Sequence, residues 1–202
     1  MDLGNVLIRW DPDVFLEKTA YVLDTSPQEM LEFLQEENPS VFRQIETGGN
    51  EESIRQKFCR RFGKDVPAEE FYRAFNSGIE PYDYCRAEKL LRKIRASGVA
   101  RAIISNINAI HARFAEERFP AVFVDIGIWR RFYSYKLGMR KDKTGAVFQM
   151  LFDELGIIPE CAVLIDDMKE NIDGFEKAGG RGILFKGFHQ AEFELRKLWV
   201  ID

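Results

Sequence analysis

From Asp13 to about Gly78, apolar residues recur at three- and four-residue spacing: Val14, Phe15 and Leu16 with Ala20, Val22 and Leu23, then Met30, Leu31, Phe33 and Leu34. That period predicts amphipathic helices, and no strand-like run interrupts it. Start signals punctuate the stretch. Ser26-Pro27 puts Pro at a first helical position with an acid following, Asn50-Glu51-Glu52 precedes Ile54, and Pro67-Ala68-Glu69-Glu70 precedes Phe71. Four or five short helices are expected there.

Beyond Pro81 the pattern changes to alternation. Helix is predicted from Ala87 to Ser97, ending at Gly98, and Val99 to Ser105 is a short apolar run of the buried-strand type. Helix follows over Ile107 to Arg118, and a strand or its approach over Ala121 to Ile126. Then come helix over Thr144 to Leu155, strand over Cys161 to Ile165, helix over Asn171 to Ala178, strand over Gly182 to Phe185, and a closing helix over Gln190 to Trp199. Such alternation builds a parallel sheet. The expected layout is one α/β domain made of residues 1–13 and 81–202, with an all-helical lobe, residues 14–80, inserted near its beginning. No internal repeat or low-complexity linker is visible.

Composition narrows the chemistry. A chain of 202 residues with 46% hydrophobic and 31% charged residues is globular, neither disordered nor membrane-spanning. Lys plus Arg is 29 against Asp plus Glu 33, so a net charge of -4 gives no electrostatic reason to bind nucleic acid or anionic lipid. His111 and His189 are the two histidines, which nearly excludes His-rich metal sites and directs attention to carboxylates. Cys59, Cys85 and Cys161 are far apart, odd in number and form no CxxC, as expected of reduced thiols in the cytoplasm. The N-terminus carries acid where a signal peptide carries base, and nowhere do 18 apolar residues run together.

In open parallel sheets ligands bind at the carboxyl ends of strands. Ser105-Asn106 follows Ala102-Ile103-Ile104, Asp166-Asp167 follows Ala162-Val163-Leu164-Ile165, and Lys136-Leu137-Gly138-Met139-Arg140-Lys141 follows a mixed apolar segment. Adjacent aspartates repel one another and are poor core residues without a cation or strong donors. Taken singly, Asp166 reads equally as a helix cap, Ser105 as a turn residue and Lys141 as a solvated charge. Together, a carboxylate pair, a hydroxyl and a lysine at strand ends point to a hard divalent cation and a phosphate.

These segments resemble the haloacid dehalogenase (HAD) superfamily, and within it the helical-cap branch of bacterial sugar-phosphate phosphatases that includes alpha-D-glucose-1-phosphate phosphatases. The first motif matches Asp2-Leu3-Gly4-Asn5-Val6-Leu7, the second Ile104-Ser105-Asn106, the third Leu137-Gly138-Met139-Arg140-Lys141, and the fourth Leu164-Ile165-Asp166-Asp167-Met168-Lys169-Glu170-Asn171. The matches run in order along nearly the whole chain. The resemblance implies a Rossmann-like three-layer α/β core with a helical cap, and Mg2+ held by Asp2, the Gly4 carbonyl and Asp167, with Asp166 and Asn171 beside it. It implies Asp2 as a nucleophile passing through an aspartyl-phosphate, with Ser105, Asn106 and Lys141 on the phosphate. The implied protein is a Mg2+-dependent phosphatase of a small phosphorylated metabolite, monomeric or homodimeric, its helical lobe closing over the substrate.

Three departures qualify that picture. Gly4 stands where most phosphatases of the superfamily carry a second Asp, as it does in the branch resembled; without that acid, good leaving groups such as a sugar 1-phosphate are favoured. Lys141-Asp142-Lys143-Thr144 lacks the usual Pro, which makes Lys143 a rival of Lys141. The family's nucleophile ends an apolar central strand, whereas Met1 alone precedes Asp2, so either the chain begins upstream or something else fills the gap. Metal-independent dehalogenation and a catalytically silent binding module are the competing expectations. Of the remaining features, Gly179-Gly180-Arg181-Gly182 reads as a helix end and turn, and Arg130-Arg131-Phe132-Tyr133 as a weak nucleic-acid signal. His111 faces either the site or solvent, and Arg9-Trp10 lines an entrance or packs.

Overall fold

The computed structural model describes residues 1–202 except 82, 125, 128 and 129. The expected helical stretch forms five helices: α1 (Pro12–Val22), α2 (Pro27–Gln35), α3 (Val41–Glu46), α4 (Glu51–Phe62) and α5 (Ala68–Phe75). Their boundaries follow from side-chain caps. Asp11 accepts from the N–H groups of Asp13 and Val14, Ser26 and Glu29 form a reciprocal capping box, and so do Asn50 and Ser53. The apolar faces of these helices share a core around Phe15, Met30, Phe33, Phe58, Phe71 and Phe75, which Ala109 and Ile110 from later in the chain also join. Phe58 sits at its centre, edge-on to Phe33 at 5.1 Å and to Phe75 at 5.4 Å. An antiparallel pair, β1 (Arg9–Trp10) and β2 (Ile79–Glu80), forms the neck where the chain enters and leaves this lobe.

The remainder alternates as expected: α6 (Tyr84–Ala96), β3 (Ile103–Ser105), α7 (Ala109–Arg118), β4 (Arg131–Tyr133), α8 (Ser134–Leu137), α9 (Ala146–Leu155), β5 (Val163–Asp166), α10 (Lys169–Lys177), β6 (Arg181–Leu184) and α11 (Phe188–Lys197). β3 pairs with β4 and β5 with β6, both in parallel, with Ser105 opposite Tyr133 and Asp166 opposite Leu184. Met1 and Asp2 join the two pairs. The Met1 amine donates to the Ala102 carbonyl (3.1 Å), Ile104 N–H donates to the Met1 carbonyl (3.1 Å), and Asp2 N–H donates to the Ile165 carbonyl (3.0 Å). Phe148, Phe152 and Phe175 of α9 and α10 pack on one side in a cluster with Ile104 and Leu164. Leu90, Leu91 and Ile94 of α6, Ala112 and Ala115 of α7 and Leu195 of α11 belong to a second cluster with Ile103 and Ile165. The result is an α/β sandwich of helix, sheet and helix with the helical lobe inserted.

Two expectations are corrected. Residues 121–126 form no strand among the described positions: Pro120–Phe123 is a 3-10 turn begun by Pro120, and Asp125 lies outside the described residues. The strand of that region is β4, whose Arg-Phe-Tyr sequence carries no apolar run to announce it. The strand expected over Val99 to Ser105 shortens to Ile103–Ser105, the length over which β4 offers a partner. No helix among the described residues is long and apolar enough to cross a membrane.

Candidate active site

Asp2 emerges between β3 and β5 and is followed at once by a tight turn. The Leu3 carbonyl accepts from the N–H groups of Leu7 (2.8 Å) and Ile8 (3.0 Å), and Asn5 N–H donates to the Ile8 carbonyl (2.7 Å). Leu3, Val6, Leu7 and Ile8 are buried and anchor the turn from below. Asn5 takes φ of +53°, a conformation Asn tolerates better than most residues, and its side-chain oxygen accepts from Trp10 N–H (3.1 Å). Asn5 also hydrogen-bonds the side chain of Asp167.

Lys141 is the centre of the site. It is 2% exposed, and its Nζ donates to Asp166 Oδ2 at 2.5 Å and reaches Asp2 Oδ1 at 2.9 Å. Burial alone would lower this amine, but the charges of Asp2 and Asp166 and their hydrogen bonds carry it above the ordinary lysine value, so it remains an ammonium. Lys143, by contrast, is exposed, and Lys141 is the lysine that meets Asp2 and Asp166. The loop is held by Asn106: Lys141 N–H donates to Asn106 Oδ1 (2.7 Å), and Asn106 Nδ2 donates to the Lys141 carbonyl (3.0 Å). Asn106, expected on the substrate, thus spends its amide on fixing the lysine. Ser105 is buried at the end of β3, beside Asn106.

Asp166 is fully buried and engaged at both oxygens. Oδ1 accepts from Met168 N–H and Asn171 Nδ2, each at 2.9 Å, and Oδ2 accepts from Lys141. Asp2 accepts from Leu3 N–H at 2.7 Å through the oxygen that faces Lys141. Burial pushes Asp2 up to about 6, against the opposing pull of Lys141 and with a further push from Asp166. Asp167, half-buried, is raised by burial and by Asp166, with the Asn5 bond acting the other way.

Asp2, Asp166 and Asp167 each offer an oxygen, and the three lie within 4.8 Å of one another. Ligand oxygens on opposite sides of a Mg2+ ion are about 4.2 Å apart, so this all-oxygen, acidic set fits a hard cation. A Cβ built on Gly4 meets nothing within 4 Å, so the position beside Asp2 is open.

One residue that sequence reasoning passed over stands at the edge of the site. Glu46, 5% exposed at the end of α3, forms an ion pair with Arg140, next to Lys141 in the chain. Burial pushes Glu46 up to about 7 despite Arg140, and the charges of Asp2 and Lys141 are felt there. Nothing in the local pattern marked Glu46, which falls on a helix period among many surface acids. His111 faces neither site nor solvent. It is buried, donating from Nε2 to the Phe75 carbonyl (3.0 Å) and accepting at Nδ1 from Asn108 (3.1 Å), and burial lowers it to about 4. Trp10 packs on it at 4.7 Å.

No family model matches the chain. Solved structures do. A HAD family enzyme from Bacteroides thetaiotaomicron, in complex with magnesium and inorganic phosphate, is 24% identical with a TM-score of 0.77 over 92% of this chain and 91% of that one. A predicted HAD-like family hydrolase from Porphyromonas gingivalis is 21% identical with a TM-score of 0.77 over 97% and 95%. A HAD phosphatase from Thermococcus onnurineus is 16% identical with a TM-score of 0.62 over 98% and 95%. With its helical insertion, its paired parallel strands and its carboxylates at their ends, the chain has the fold of the haloacid dehalogenase superfamily.

Proposed function

We propose that the chain is a Mg2+-dependent phosphatase of small phosphorylated metabolites, acting in the cytoplasm through an aspartyl-phosphate. The observation that carries the reading is the convergence of Asp2 and Lys141 with the Asp166-Asp167 pair at the carboxyl end of β5. Asp2 Oδ attacks phosphorus in line with the ester oxygen, which departs with its electron pair; water then attacks the Asp2 phosphoryl group and returns the carboxylate. Lys141 holds Asp2 in place and offsets charge on the nucleophile and the transferring group. Ser105 donates to a phosphoryl oxygen. Asp2 and Asp167, with the Gly4 carbonyl, hold the cation, while Asp166, committed to Lys141, Met168 and Asn171, orients the lysine and the turn. Mg2+ bound there supplies neutralisation of the repulsion between carboxylate and phosphate.

Gly4 leaves the departing oxygen without a positioned acid, which favours leaving groups that are stable unprotonated, such as an anomeric sugar oxygen. The helical lobe, contacting the core through Glu46 and Arg140, closes over the substrate and excludes water. The magnesium and phosphate of the Bacteroides neighbour support the same reading. The test is hydrolysis of a phosphometabolite panel with Mg2+ and with EDTA. Phosphate release that requires the metal is expected, fastest on sugar 1-phosphates. Halide release from haloacids that survives EDTA would transfer the site to carbon chemistry instead.

A further inference from the structure

α3 meets the loop that carries Lys141 with complementary charges. Arg43 and Glu46 stand three residues apart, on one side of the helix. Glu46 pairs with Arg140, which immediately precedes Lys141. The charge of Arg43 is felt at Asp142, which immediately follows it. Burial works against Asp142, but its two bonds from Thr144 and the charges of Arg43 and Arg140 hold it below the ordinary carboxylate range. Just past α3, the Thr47 carbonyl stands 3.9 Å from where a Cβ on Gly138 would lie.

The side chains of Arg140 and Glu46 are only 21% and 7% exposed. A second ion pair between the lobe and the α/β part, Glu51 with Arg113 of α7, differs in kind, since Arg113 is 61% exposed. An exposed pair of that sort contributes little. Burying an ion pair costs desolvation that apolar neighbours would avoid, so a buried pair is better suited to fixing a register than to adding stability. The register at stake is that of Lys141. Asn106 holds its main chain at both N–H and carbonyl, and Asp2 and Asp166 hold its ammonium, all from the α/β part. Glu46 adds a hold from the lobe, one peptide unit away.

We propose that Glu46 is a positioning residue for Lys141: through Arg140 it ties the helical lobe to the main chain beside the lysine, so that the seat of the lobe and the place of the ammonium between Asp2 and Asp166 are set together. Glu46 acts through Arg140 and need not touch the substrate. A misplacement of about 1 Å in such a group can cost on the order of 10²-fold in rate. The effect on rate rests on the phosphatase reading, whereas the tie itself does not.

Wild type, Glu46→Gln, Arg140→Gln and the double variant are compared at pH 8, above the value of about 7 to which burial raises Glu46. Arg113→Gln, which breaks the exposed contact of the lobe, is the control. Amide exchange at Lys141 should quicken by about tenfold in each single variant at residue 46 or 140 and no further in the double, because both remove the same tie. It should keep the wild-type rate in Arg113→Gln. In the same variants kcat on an aryl phosphate should fall by about tenfold, with KM and Mg2+ affinity within about twofold of wild type. Unchanged exchange or unchanged kcat in Glu46→Gln overturns the proposal. So does equal quickening in Arg113→Gln, which would mean a general loosening of the lobe. If the glutamine form does not fold, Glu46→Asp, which keeps the charge on a shorter arm, gives the same comparison with an intermediate effect. A wild type that releases no phosphate from any ester removes the phosphatase reading and leaves the exchange comparison to decide the tie.

Discussion

Lys141 carries the electrostatics of the site at the level of single side chains. Two buried carboxylates, Asp2 and Asp166, share one ammonium, and removing it leaves both uncompensated. Lys141→Ala is therefore expected to destabilise the fold by about 3–5 kcal/mol in urea unfolding as well as to abolish turnover. Full stability in that variant would show that the carboxylates are neutral without the lysine. Gly4 makes the opposite kind of prediction. With open space where its Cβ would be, Gly4→Asp fits and places an acid beside Asp2. Turnover should rise on simple alkyl phosphates by about tenfold or more and change little on activated aryl phosphates, because a general acid matters most for poor leaving groups. An equal change on both substrates would deny Asp at position 4 that role. Asp166 was legible beforehand because it follows the apolar run Ala162 to Ile165, whereas Asp2, Gly4 and Lys141 were legible through the likeness of their segments to a known family. Asn5, Glu46 and Arg140 were not, because their roles depend on a positive φ and on a contact between segments 94 residues apart.

Between elements, the site depends on a close approach that two glycines allow. A Cβ on Gly174 of α10 would lie 1.9 Å from the Asp142 carbonyl and 3.1 Å from Gly145 N, so α10 and the Lys141 loop touch backbone to backbone. Gly174→Ala must displace that loop, and a loss of about 1–3 kcal/mol in stability with a fall in kcat is expected. Unchanged kinetics in a destabilised variant would show that the loop moves without the lysine. His111 ties α7 to α5 in the neutral form. Its folded value of about 4 lies below the ordinary 6.5, so the unfolded chain takes the proton first. The contribution is complete above pH 6.5 and is lost as pH falls towards 4, by on the order of 3 kcal/mol. Asp2 and Glu46, raised by burial, work in the opposite sense: their contribution is greatest in acid and is lost as pH rises through about 6 and about 7. The wild-type minus His111→Gln difference in urea stability isolates the histidine and should shrink from pH 8 to pH 4.5. Helices were legible in the sequence through their caps, as at Ser26 and Asn50; β4 was hidden because Arg131, Phe132 and Tyr133 show neither alternation nor an apolar run.

For the molecule as a whole, the chain passes between the helical lobe and the α/β part through the β1–β2 neck, and Glu46 of the lobe meets Arg140 beside Lys141. The order of helical insertion and alternating segments was readable from hydrophobic period alone. How Met1 and Asp2 sit between β3 and β5 was not, since it depends on long-range hydrogen bonds that no local pattern reports. The central claim is that Asp2, Lys141 and the Asp166-Asp167 end of β5 form one phosphoryl-accepting site with Mg2+. Beryllium fluoride, which mimics a phosphoryl group on an aspartate, tests it through the melting temperature of the intact chain. A rise of several degrees is expected, one that requires Mg2+ and fluoride together and disappears in Asp2→Asn. No rise in the wild type, or a rise that persists in Asp2→Asn, would contradict it.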